Sequence, residues 1–254
     1  MSTALRRFEN KNIVITGAAS GIGQASAIRF AEEGGNIAIL DVNQEGLAKT
    51  AAEASKHGGK VFTFACDVTN FDNVNEAIDK AAEALGGFTV LAHIAGVLKT
   101  FHTHEMKQSD WARIIDINLN GTFYVNQAAL RHLLKNKHSS IVNMSSTSAI
   151  GKHPWMSAYA ASKGGVISFT RAIYQEYVKQ GLRANCLIGG GFTTGLHAEF
   201  KIPEGGNPQL MAGAMPLVRM VGPEYAASVI VFLSSDDARY INGTEIRADG
   251  GALS

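Results

Sequence analysis

The chain has 254 residues, 46% of them hydrophobic and 18% charged, a balance that buries a sizeable core and excludes intrinsic disorder. Its 23 basic and 22 acidic side chains leave a formal net charge of +1, and no run of Lys or Arg offers a footprint for nucleic acid. No stretch approaches the ~20 apolar residues of a membrane span, and residues 1–10 lack the apolar run of a signal peptide, so a cytoplasmic protein is expected.

In chain order, short apolar runs alternate with longer helical patterns. Residues 12–16 (NIVIT) are apolar at odd and even positions alike, which predicts a strand buried on both faces. A helix over 21–33 follows, closed by Gly34 and Gly35. Residues 36–40 predict a second strand, 44–56 a second helix and 60–65 a third strand. Thr69 and Asp72 resemble a capping box opening a helix with Val74, Ile78, Ala81 and Leu85 on one stripe. Residues 88–92 predict a fourth strand, 109–137 a long helix, 140–144 a fifth strand, 157–180 a helix and 183–188 a sixth strand. Pro223 opens a helix that continues over 226–233, and 244–247 form a last strand. This alternation implies an α/β fold: one Rossmann-type, doubly wound parallel sheet of about seven strands with helices on both faces. With no linker or repeat, one domain over 1–254 is the economical expectation. Cys66 and Cys186 lack metal or disulfide spacing and are expected to be reduced core thiols.

Between the first strand and helix stands Thr16-Gly17-Ala18-Ala19-Ser20-Gly21-Ile22-Gly23. Glycines there let the chain turn sharply and bring backbone N–H groups near a pyrophosphate at the positive end of the helix. Asp41 ends the second strand, eighteen residues after Gly23, where a carboxylate accepts hydrogen bonds from adenosine-ribose hydroxyls and repels a 2′-phosphate. NAD(H) is therefore expected over NADP(H). Tyr159 and Lys163 lie one helical turn apart, so an ammonium beside the phenol favours the phenolate and suits Tyr159 to general acid and base work.

Taken together, the glycine turn at 17–23, Asp41, Asp67-Val68, Asn118, Ser146, Tyr159 and Lys163 resemble the short-chain dehydrogenase/reductase superfamily, in its classical group, over 11–251. The resemblance implies that Tyr159 is the acid/base and that Lys163 lowers its pKa and holds the nicotinamide ribose. It further implies that Ser146, rather than its neighbour Ser145, binds the substrate oxygen, and that Asn118, more than Asn120, interrupts a helix and anchors a proton-relay water. Gly17, Ser20, Gly21, Ile22, Gly23, Asp41, Asp67, Val68, Ala95, Gly96, Phe192 and Thr194, with Tyr159 and Lys163, would hold the cofactor. Two positions depart from the pattern. His93-Ile94 replaces an Asn-Asn pair, leaving amide hydrogen bonds to be replaced, and Gly189-Gly190 replaces Pro-Gly, which should loosen that loop.

Other features weigh less. His102 and His104 beside Glu105 lack further metal ligands and are expected to be solvated, so no metal is expected. Trp155 either lines the substrate pocket or packs its loop, and 195–216 carries the apolar residues of a substrate lid. The helix over 157–180 is apolar on more than one side, which suggests a homo-oligomer, a tetramer or dimer. The expected activity is reversible hydride transfer between NAD(H) and a secondary alcohol or ketone, a small molecule. The alternatives are an NADP(H)-dependent 3-oxoacyl-thioester reductase and a catalytically silent NAD-binding regulatory protein.

Overall fold

The computed structural model describes residues 5–253, so the first four residues of the polar N-terminal stretch lie outside it. Seven strands form one parallel sheet: β1 (Asn12–Thr16), β2 (Asn36–Asp41), β3 (Val61–Ala65), β4 (Val90–His93), β5 (Ser139–Ser146), β6 (Leu182–Gly189) and β7 (Glu245–Ala248), in the order β3-β2-β1-β4-β5-β6-β7. The central strands are buried on both faces, as their continuous apolar runs require. The helices are α1 (Gly21–Glu32), α2 (Gln44–Ala54), α3 (Phe71–Leu85), α4 (Gln108–Ile115), α5 (Gly121–Leu133), α6 (Ser157–Tyr177), a short α7 (Gly195–Ala198) and α8 (Pro223–Ser234).

Two apolar layers hold the helices on the sheet. Phe8, Ile13, Ile15, Phe30 and Ile230 fill the layer containing α1 and α8, while Val14, Leu91, Val74, Ile78 and Leu133 fill the one containing α3 and α5. Strand order reverses between β1 and β4, which opens a crevice beyond the strand ends. The residues following β1, β2, β3, β4, β5 and β6 all open onto one cavity there.

Two local expectations change. Thr69 does not cap α3: its hydroxyl donates to Asp67 at 2.7 Å, and Asn70 caps instead by accepting from the Asn73 N–H at 3.0 Å. The acidic neighbour captured the threonine before the helix end did. The long helix that periodicity suggests over 109–137 is also interrupted, at Asn118 as the resemblance implies, by a π-helical turn at Asp116–Asn120 between α4 and α5. Such a turn adds one residue to the helical repeat and is common at functional sites.

Candidate active site

The cavity, about 800 Å³, runs from the glycine turn and Asp41 at one end to Ser146, Tyr159 and the 195–216 excursion at the other. Gly17 has φ 68°, and a Cβ there would stand 2.7 Å from the Ala95 nitrogen, so only glycine lets the turn lie against the β4 loop. A Cβ on Gly23 would collide with the Gly17 carbonyl oxygen. Ser20, Gly21 and Ile22 also line the cavity, with Gly21 packed opposite Thr194.

Asp41 stands at the end of β2. Its carboxylate accepts from the Asn43 N–H at 2.9 Å and the Ala19 N–H at 3.2 Å, which ties it to the glycine turn. Asp67 and Val68 line the same end beyond β3, and Ala95 and Gly96 lie beside the turn. Phe192, bridged in parallel to Val221, and Thr194 close the cavity from the β6 side. Cys66 and Cys186 are free thiols, each pushed up to about 12, chiefly by burial.

At the other end, Ser146 and Tyr159 both line the cavity, and Ser145 does so only with little exposure. The Ser145 hydroxyl is buried and donates to the Lys163 carbonyl at 2.8 Å, which occupies its proton structurally. Burial raises the Tyr159 phenol above its ordinary value, and contact with the Ser146 hydroxyl pulls it back down. Lys163 Nζ lies 6.0 Å from the Tyr159 ring centre and donates to the Met144 carbonyl at 2.9 Å. Burial brings this amine down to about 8. Of the two influences on the phenol, burial is the larger.

Asn118 is wholly buried and stands behind the cavity wall rather than on it. Its Oδ1 accepts from the Val97 N–H at 2.8 Å, and its Nδ2 donates to the Val97 carbonyl at 2.9 Å and to Ser162 Oγ at 3.1 Å. The side chain therefore pins the loop after β4. Asn120 faces away, donating to Asp116. A Cβ on Gly96 would meet Asn118 Oδ1 at 3.1 Å and Lys163 Nζ at 3.2 Å, so the glycine lets both groups gather around one backbone position.

His93 makes two side-chain hydrogen bonds, in a chain whose direction follows from donor counting. Thr122 Oγ1 spends its proton on the Asn118 carbonyl at 2.6 Å, so it can only accept from His93 Nε2–H at 3.0 Å. His93 Nδ1 is then unprotonated and accepts from the Thr16 hydroxyl at 2.8 Å. Thr16 Oγ1 in turn accepts from the N–H groups of Ile94 and Ala95 at 3.2 and 3.4 Å. Every member points one way, and such chains polarise cooperatively. Burial, reinforced by the Lys163 charge, drives His93 down to about 3, so the imidazole stays neutral and the chain keeps its direction. Sequence reading missed Thr16, Thr122 and Ser162; a Thr or Ser carries no signal until its partner is known.

At the second departure the space beside the glycine is filled. A Cβ on Gly189 would collide with the Met144 methyl group, so the thioether occupies the space that a larger residue would need. Trp155 packs its loop: it does not line the cavity, its carbonyl accepts from the Phe101 N–H at 2.9 Å, and its ring lies against Gly206. It does so at φ 65°, a left-handed backbone that a bulky residue adopts only when its surroundings demand it. His102 is not merely solvated; its Nε2–H donates to the Glu204 carbonyl at 2.9 Å. Among the described residues no cluster could hold a metal ion, and no helix is long and apolar enough to cross a membrane.

These features fit a dinucleotide: glycines that a Cβ would obstruct, a carboxylate fixed at the end of β2, and a cavity long enough to join it to the phenol. The chain matches the family model described as enoyl-(acyl carrier protein) reductase over residues 17–252. It is 37% identical to a 3-oxoacyl-[acyl-carrier-protein] reductase of Thermotoga maritima, covering 97% of this chain and 99% of that one. It is 36% identical to meso-2,3-butanediol dehydrogenase of Serratia marcescens, covering 97% and 96%. Carveol dehydrogenase of Mycobacterium avium, solved in complex with NAD, superposes with a TM-score of 0.90 at 28% identity, covering 97% and 99%. The chain belongs to the short-chain dehydrogenase/reductase superfamily of nicotinamide-dependent oxidoreductases.

Proposed function

We propose that this protein is an NAD(H)-dependent dehydrogenase that interconverts a secondary alcohol and a ketone in one α/β domain, with 195–216 as the substrate lid. The observation that carries this reading is one cavity bounded by Asp41 at one end and by Ser146 and Tyr159 at the other. Asp41 keeps lone pairs for ribose hydroxyls, and its chain neighbours Leu40 and Val42 carry no charge to offset a 2′-phosphate. Gly17 to Gly23 cradle the pyrophosphate with backbone N–H groups at the start of α1. Asp67 and Val68 take the adenine, Ala95 and Gly96 the adjoining sugar, and Phe192 and Thr194 the carboxamide.

A bound nicotinamide supplies or takes up the hydride. The protein handles the proton. Ser146 donates to the substrate oxygen, and Tyr159 gives its phenolic proton to that oxygen in reduction or removes it in oxidation. Burial holds the phenol protonated near neutrality, which suits the reductive direction. Lys163, cationic below about pH 8, stabilises the phenolate left behind and binds the ribose. With Asn118 it forms the start of the path by which the proton is replaced. The exposed Trp111 and Phe123 on α4 and α5 support assembly as a tetramer or dimer.

Reduction of 3-oxoacyl thioesters with NADPH is the competing reading, because the Thermotoga relative is named for that reaction. Asp41 argues against it. Steady-state turnover of a ketone panel with NADH and NADPH decides: a kcat/KM at least ~10-fold higher with NADH is expected. A preference for NADPH contradicts the cofactor assignment.

A further inference from the structure

The two halves of the cavity differ in charge, and the difference identifies what the second half takes. The adenosine half holds Asp41 and Asp67. The half around Tyr159 is walled by Leu98, Met156, Leu196, Phe200 and Met211. Glu199, Lys201 and Glu204 belong to the covering segment, yet all three are exposed and none lines the cavity. Arg113 does line it, one turn before Ile117, which packs into the same cluster as Val68 at the adenosine end. His153 also lines the cavity. Burial pushes it below its ordinary value and keeps it neutral.

An anion placed against that wall would lose its water, and the one cation near Tyr159, Lys163, already donates to the Met144 carbonyl. Five of the chain's seven methionines, Met144, Met156, Met211, Met215 and Met220, line this one cavity. Thioether side chains are flexible and polarizable, so such a wall adapts to apolar bodies of differing shape. The cover is also held down: the Thr100 hydroxyl donates to the Lys201 carbonyl, His102 to the Glu204 carbonyl, and Gly206 rests on Trp155. The apolar wall packed around Tyr159 leaves the substrate body few groups that hold water.

We infer that the substrate is a bulky, uncharged, predominantly apolar ketone or secondary alcohol, such as an alkylated alicyclic, carrying no carboxylate, phosphate or sulfonate. This rests on the proposed alcohol–ketone activity and adds the substrate class. Thioesters on a phosphorylated arm are the opposing class.

The test uses the full chain with whichever nucleotide it turns over. Its substrates are cyclohexanone, 4-methyl-, 4-ethyl-, 4-propyl- and 4-butylcyclohexanone, 4-oxocyclohexanecarboxylate and acetoacetyl-CoA. Each methylene the chamber buries should raise kcat/KM by up to about fourfold. The carboxylate should fall at least ~10-fold below 4-ethylcyclohexanone. Met211→Glu, with its melting temperature checked, should flatten the dependence on alkyl length. Tyr240→Glu, on a fully exposed side chain outside both the cavity wall and the lid, should leave that dependence unchanged. Calorimetric titration of the matching 4-alkylcyclohexanols into the protein–NADH complex reads the chamber without turnover. Tightening along the series supports the assignment even if catalysis fails, in which case only the proposed activity falls. A flat series in both measurements, or preference for the carboxylate or acetoacetyl-CoA, overturns the substrate class.

Discussion

The two ends of the cavity are built differently. The adenosine end is backbone: strand termini, a glycine turn, and a carboxylate held by two N–H groups. The reacting end is side chain: a phenol and an amine buried against their own solvation, under a methionine-rich cover. Backbone geometry fixes what is common to every catalytic cycle, the nucleotide. Side-chain chemistry, which costs stability to bury, is kept for the reacting centre. Between the two ends runs the Thr16–His93–Thr122 chain, which joins the glycine turn to the π-helical turn at Asn118.

The sharpest way to separate the ends is to change Lys163. Lys163→Met should lower kcat by at least ~10²-fold yet raise the melting temperature by about 2–4 °C, as for ~1 kcal/mol in a chain of this size. The sign follows from its folded pKa of about 8 against 10.5 in the open chain. The unfolded chain holds the extra proton between those values, so the burial cost is complete below pH 8 and fades as pH rises to 10.5. Differential scanning calorimetry across that range checks it; a variant that melts lower would place the stabilising role on the amine instead.

Next in size, Asp41→Ala should reduce the NADH over NADPH preference by roughly 10- to 100-fold, the worth of hydrogen bonds to a charged group. Ketone KM should stay unchanged, because the substitution lies at the far end. A shift in ketone KM would show that the ends are not independent. Thr122→Val breaks the connecting chain and leaves the His93 Nε2–H buried without a partner, costing about 1–3 kcal/mol of stability by urea unfolding. The smallest effect belongs to the cover: His102→Ala should raise the KM for apolar ketones about two- to fivefold, the worth of one neutral hydrogen bond, with nucleotide affinity unmoved.

The same contrast explains what sequence reading captured. The strands, the glycine turn and Tyr159 with Lys163 were legible, because local periodicity and short spacing place them. Seven parallel strands follow directly from the alternation of buried runs and amphipathic helices. His93 was legible only as a departure, since Thr16 and Thr122 lie 77 and 29 residues from it. The filled space at Gly189 depends on Met144, whose side chain reaches it from the neighbouring strand β5. The cap at Thr69 misled because Asp67 competes for the same hydroxyl, a choice that spacing alone does not decide.

Proton exchange by one buried phenol underlies the whole reading, and steady-state kinetics of Tyr159→Phe probes it most directly. The variant keeps the ring, the packing and the nucleotide end while removing a single oxygen. Its kcat for ketone reduction should fall by about 10²- to 10⁴-fold with NADH affinity within threefold of the parent. Turnover at the parental rate would mean that the proton comes from another group.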